Sequence, residues 1–150
     1  MFLINIKKYN MEKTTTLLHI KDSVIMTLAN NKLCIKVLGN ISETGIKLLI
    51  KNTELFYSLC KTKKKKFYHI YDLSEMGFLN SQYYLKYSDQ FTTFLKEYAD
   101  FFIEHLHGSV IITGSEFSRG IANLVLSFYK AKRPVKFVSS VDEIDFDFTL

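Results

Sequence analysis

Four groups of residues in this chain have types and spacings that invite chemistry. His105 and His107 form a His-x-His pair, which shares a face on a strand but diverges by about 200° on a helix. Sequence places the pair at a helix end, where polar or cationic side chains suit the dipole. No third ligand lies nearby, so no metal is expected. Asp72 ends an apparent strand, a position where α/β enzymes place catalytic groups. It has no nucleophile elbow, phosphate-binding glycine loop or second carboxylate beside it, so no catalytic residue and no cofactor are expected.

Ser115, Ser118, Arg119 and Asn123 are the third group. They open a helix directly after a strand, where free backbone N–H groups favour anions. Arg119 is one of two arginines against eighteen lysines, and a guanidinium suits bidentate carboxylate or phosphate contacts. These four residues are candidate anion contacts, weighed against an Arg packed on the surface. The fourth group is the run Lys61 and Lys63–Lys66, which reads as a solvated loop. Without a groove-reading helix or interleaved aromatics, nucleic acid is not an expected partner. Cys34 and Cys60 read as buried thiols.

The elements that must position these groups are legible from periodicity. The chain has 150 residues, with 47% apolar and 23% charged, enough for one self-sufficient core. No stretch approaches the roughly 20 apolar residues of a membrane span, and the N-terminus lacks the order of a secretory signal; a cytoplasmic address is the expectation. Residues 1–15 read as a loose arm and 16–150 as one domain. Leu17 to Ala29 reads as β-structure, Asn30-Asn31 as a two-residue turn, and Leu33–Leu38 as its antiparallel partner. Ser42 reads as the N-cap of a helix reaching about Cys60, with a strand at Phe67–Leu73. An aromatic stripe from Ser81 to His107 reads as a long helix, kinked or broken near Ser88-Asp89 and capped by Gly108. A strand at Ser109–Thr113 precedes a helix whose inner face is read as Phe117, Ile121, Leu124, Val125 and Phe128. Gly120 within it suggests close packing. Val135–Ser139 is the last strand, and Ser140–Glu143 a capping box opening a short terminal helix. The order predicts an α/β fold: a mixed sheet of about five strands, with an antiparallel hairpin followed by parallel βαβ units, covered by helices.

This order resembles the STAS fold of bacterial anti-sigma factor antagonists. Asp72-Leu73-Ser74-Glu75-Met76-Gly77-Phe78-Leu79-Asn80-Ser81-Gln82 is similar to that family's strand-to-helix signalling junction, Asp-Leu-Ser-x-Val-x-Phe-Ile-Asp-Ser-Ser. A second stretch, Gly114 to Asn123 and Arg133 to Glu143, is similar to a branch grouped with STAS and CRAL-TRIO-like domains. The resemblance implies a non-enzymatic regulatory domain that binds another protein through Leu79, Asn80, Ser81, Gln82 and Tyr84. It also implies a structural role for Asp72, holding the loop that follows. Gln82 stands where phosphoswitch members carry the phosphorylated Ser, and Asn80 where they carry Asp, which puts the usual switch in doubt. CRAL-TRIO likeness implies an alternative, a carrier of a small apolar or lipid ligand, with aromatics that would otherwise form a dry core.

Overall fold

The computed structural model describes residues 13–148. Most of the arm expected at 1–15 therefore lies outside the described residues, although Thr14 and Thr15 already belong to a strand. Six strands form one sheet: β1 (Thr14–Ile20), β2 (Val24–Ala29), β3 (Lys32–Val37), β4 (Phe67–Leu73), β5 (Leu106–Thr113) and β6 (Val135–Val138). They lie side by side in chain order; β1–β2 and β2–β3 are antiparallel, and β3 to β6 are parallel. The mixed α/β architecture is as the sequence predicts, with one strand more. Leu17–Ala29 is not one strand but two, because Asp22 turns the chain at a φ of 59°, a conformation that Asp tolerates better than most residues. Asn30 makes the second turn at a φ of 55°, as its type suggests.

Helix α1 (Glu43–Lys63) starts on Ser42, whose hydroxyl accepts from the Gly45 N–H at 3.0 Å. It runs through the first lysines to Lys64, which closes it in the left-handed region at a φ of 52°. Three lysines in or just past the last turn suit the negative end of the helix dipole. The long helix over 81–107, expected to kink or break near Ser88-Asp89, does break there and once more beyond it, giving α2 (Phe78–Lys86), α3 (Ser88–Glu97) and α4 (Ala99–His105). Tyr87 and Tyr98 break it, each at a φ near −100°. His107 and Gly108 belong to β5, so Gly108 caps no helix.

Helix α5 (Glu116–Phe128) buries Ser118 and Ala122, while Phe117 and Phe128 are exposed. The inner face is thus one of small residues, continued by half-buried Val125 and buried Tyr129. The capping box at Ser140 opens only a 3-10 turn, Val141–Glu143, followed by an extended tail. Glu143 accepts from the backbone N–H groups of Ser139 and Ser140 at 2.7 and 3.2 Å.

The two faces of the sheet are covered differently. Helices α1 and α3–α5 pack with Val24, Met26, Leu33 and Ile35 into the main core. Its centre is Tyr57, with rings of Phe67, Phe94, Tyr98, Phe101 and Phe102 all within 6 Å. On the other face Ile70, Val110 and Ile112 are covered by the tail residues Ile144, Phe146 and Phe148. Phe148 rests on Gly108, where a Cβ would stand 2.7 Å from the ring.

Two glycines separate steric need from helix propensity. A Cβ on Gly114 would stand 2.4 Å from the Ser74 carbonyl oxygen, whereas one on Gly120 meets nothing within 4 Å; the close packing expected at Gly120 is absent. Gly114→Ala is expected to destabilise the fold by about 2 kcal/mol or more. Gly120→Ala should stabilise it by about 0.5–1 kcal/mol. Urea unfolding of both variants against the parent measures the two signs.

Candidate functional site

The junction after β4 is built on Asp72. This carboxylate is buried, and its Oδ1 accepts from the Ser74 N–H at 3.0 Å and the Ser74 hydroxyl at 2.6 Å. Both bonds hold the loop that launches α2. In α2 the expected interaction residues diverge. Leu79 is 72% exposed and Gln82 is exposed, but Ser81 is buried and its hydroxyl donates to the Phe78 carbonyl at 2.7 Å. Ser81 is therefore not a surface hydroxyl. Tyr84 turns inward and donates to the Ser23 carbonyl at 3.2 Å. Asn80 is half-buried, near Gly39. The outward face carries Phe78, Leu79 and Tyr83, joined by Phe117 of α5, whose ring lies 4.9 Å from that of Phe78.

The four candidate anion contacts do not converge. Ser115 and Ser118 satisfy each other in a capping box: the Ser118 N–H donates to Ser115 Oγ at 3.2 Å, and the Ser115 N–H to Ser118 Oγ at 3.2 Å. Ser118 is fully buried, and the Ser115 hydroxyl also reaches the Met76 carbonyl at 3.1 Å. Arg119 is exposed and lies over the Phe137 ring, 5.5 Å from its centroid. Asn123 is exposed. These residues cap and cover; they form no pocket.

The two histidines separate as well. His105 Nδ1 bonds the Lys65 carbonyl at 2.9 Å on the helix-covered side, and His107 stacks on Tyr68 at 4.7 Å beneath the tail. No group of three metal-binding side chains exists among the described residues. Both cysteines are free, and burial pushes each thiol up to about 11; for Cys34 the Asp72 charge adds to the effect.

A feature that residue types did not reveal lies between the sheet and the helices. It is a cavity of about 140 Å³. Its floor is Ile35, His69, Tyr71, Ser109 and Ile111, from three adjacent strands; His69 and Ser109 are paired in register. Tyr84, Phe91 and Leu95 roof it, and Ala122, Val125 and Tyr129 form a side wall. Tyr71 lies deep in the protein yet keeps a partly accessible surface, because it floors this space. Lys132 and Arg133 stand exposed at its edge in the loop before β6.

The titratable groups of the floor and roof are fixed in their neutral forms. Burial raises the phenols of Tyr71 and Tyr84 well above their ordinary range. Burial lowers His69 from the ordinary 6.5 to about 3. Tyr57 and His69 Nε2 are 3.1 Å apart, while Nδ1 has no partner. A phenol with no other acceptor donates here, since the reverse tautomer would leave the Tyr57 proton unpaired as well.

No family model, curated protein or solved structure matches the chain. No helix among the described residues is long and apolar enough to cross a membrane.

The low folded-state pKa of His69 has a definite consequence for acid stability. The unfolded chain binds the imidazole proton near pH 6.5 and the folded chain only near 3, so stability from this group is complete above 6.5 and is lost as pH falls towards 3. Within that window His69→Gln should remove up to about 1.4 kcal/mol per pH unit from the slope of unfolding free energy. Denaturant titrations of both proteins at pH 7, 6, 5 and 4 compare the slopes.

Proposed function

We propose that this chain is a non-enzymatic binding domain on an antagonist-like α/β scaffold, and that a compact apolar molecule occupies the cavity between sheet and helices. The cavity itself carries this reading. Its walls are aliphatic and aromatic, and a pocket of predominantly apolar lining with few polar groups is the usual form of a small-molecule site. The acid–base character of the walls supports binding over catalysis. Proton transfer near neutral pH wants a group with a matched pKa, and burial moves His69, Tyr71 and Tyr84 away from that range.

Size narrows the alternative of a lipid carrier. A cavity of about 140 Å³ is close to the roughly 150 Å³ that accommodates benzene in an engineered apolar core. A single ring fits, and a long acyl chain does not without displacement of the helices.

A second reading is regulatory, with a protein partner docked on α2, as the resemblance at Asp72–Gln82 implies. The exposed cluster of Phe78, Leu79 and Phe117 favours it. Leu79→Asp should lose such a partner in affinity purification without changing ligand-induced stabilisation. Retention of every partner by that variant removes the reading.

Toluene at ten times its dissociation constant should raise the melting temperature by about 3–5 °C. Val125→Phe, which fills the space, should raise the ligand-free melting temperature and abolish the shift. An unchanged melting temperature, together with unperturbed methyl resonances of Ile35 and Leu95, would overturn the cavity reading.

A further inference from the structure

The cavity edge is electrically one-sided. Among the described residues that line it, Lys132 and Arg133 are the charged ones, and no Asp or Glu joins them. Neither cation has a carboxylate partner within 4 Å among the described residues. Arg133 is held at the edge, since its Nε donates to the Leu106 carbonyl at 2.9 Å. That bond uses one of five guanidinium donors and leaves the planar fork for another acceptor.

The positive character extends along this end of the sheet. Lys65 and Lys66 precede β4, and Arg133 precedes β6, so both sets of charges meet at the ends where these parallel strands begin. The His107 imidazole registers that field: burial first, then the charges of Lys66 and Arg133, hold it below its ordinary value.

An apolar chamber of single-ring size with two unpaired cations at its edge has a matching ligand chemistry. We infer that the ligand is a compact monocarboxylate with one aromatic ring or a branched aliphatic body, its body in the cavity and its carboxylate at Lys132 and Arg133. This inference rests on the cavity reading above and adds charge and size to it. A neutral isostere keeps the burial of the ring but loses the ionic contact. An ammonium isostere meets like charge.

The experiment is a titration of the full chain at low salt with phenylacetate, 2-phenylethanol, phenethylamine and dodecanoate, followed by calorimetry and by methyl resonances. Phenylacetate should bind about two- to fivefold more tightly than 2-phenylethanol, the upper range of an exposed ionic contact. Phenethylamine should be the weakest of the three. The preference for phenylacetate should shrink in 0.5 M NaCl and in Lys132→Met/Arg133→Gln, while 2-phenylethanol binding stays unchanged.

Equal affinity for the three isosteres would overturn the carboxylate assignment and leave the cavity reading standing. Tighter binding of dodecanoate than of phenylacetate would overturn the size. No binding of any of the four, together with no toluene effect, would overturn the cavity reading and this inference with it. Because the isostere series runs on the unaltered protein, a folding defect in the double variant cannot mask the result.

Discussion

A sheet whose parallel strands follow one another in chain order, each joined by the same right-handed crossover, can place its connecting helices on one face only. That constraint governs this molecule. From β3 to β6 every crossover steps in the same direction, so α1 to α5 all crowd over one side. The crowding is resolved by aromatic packing around Tyr57, which has five aromatic rings within 6 Å among the described residues and shares its hydroxyl with His69. A helix layer packed that tightly at one end leaves less to fill the other. The space left between the sheet and α2, α3 and α5, with Ile46 and Leu49 of α1 and Phe102 of α4 also on its wall, is the cavity.

The same constraint explains which parts of the fold were legible in the sequence. The strands at 67–73, 109–113 and 135–138 announce themselves through dense apolar runs between turn residues, and the caps at Ser42 and Ser115 follow from hydroxyls preceding amphipathic stretches. The break between β1 and β2 was hidden because Lys21-Asp22-Ser23 contains neither Gly nor Pro. The break beside Ser88 was expected, whereas the one at Tyr98 was hidden for a different reason: Tyr98 continues the apolar stripe, so the helical pattern passes unbroken through a residue that is not helical. In α5 the largest apolar residues suggested the inner face, yet the helix approaches the sheet through Ser118 and Ala122. Tertiary closeness selected small side chains there and sent Phe117 outward.

The candidate site was less legible than the fold, because an unfilled volume is not a property of any residue. Residues with reactive groups drew attention to Ser115, Ser118 and Arg119, and the structure spends all three on capping and on covering Phe137. The cavity wall is composed of residues that sequence reading assigns to a core, and most of them do belong to one. What separates wall from core is the unfilled volume that these residues happen to border. Of the cations at the edge, Arg133 opens the stretch similar to the STAS and CRAL-TRIO-like branch, but nothing in that stretch marks it or Lys132 as lining a cavity.

The C-terminal tail is the counterpart of that helix layer. Five helices lock one face, while a few extended residues led by Phe146 and Phe148 cover the other, with Lys32 and Lys136 lying over their rings at 4.7 and 4.8 Å. The two faces therefore differ in how they can come apart. The tail can lift without disturbing Tyr57 or the cavity, since its apolar, ring and lysine contacts are with the back of β3 to β6. Held by few apolar contacts, the tail is the kind of unit that opens locally at low free energy. A tag or fusion joined at the C-terminus would pull on that unit first, and would bare Ile70, Val110 and Ile112 to other chains while the helical side stayed folded.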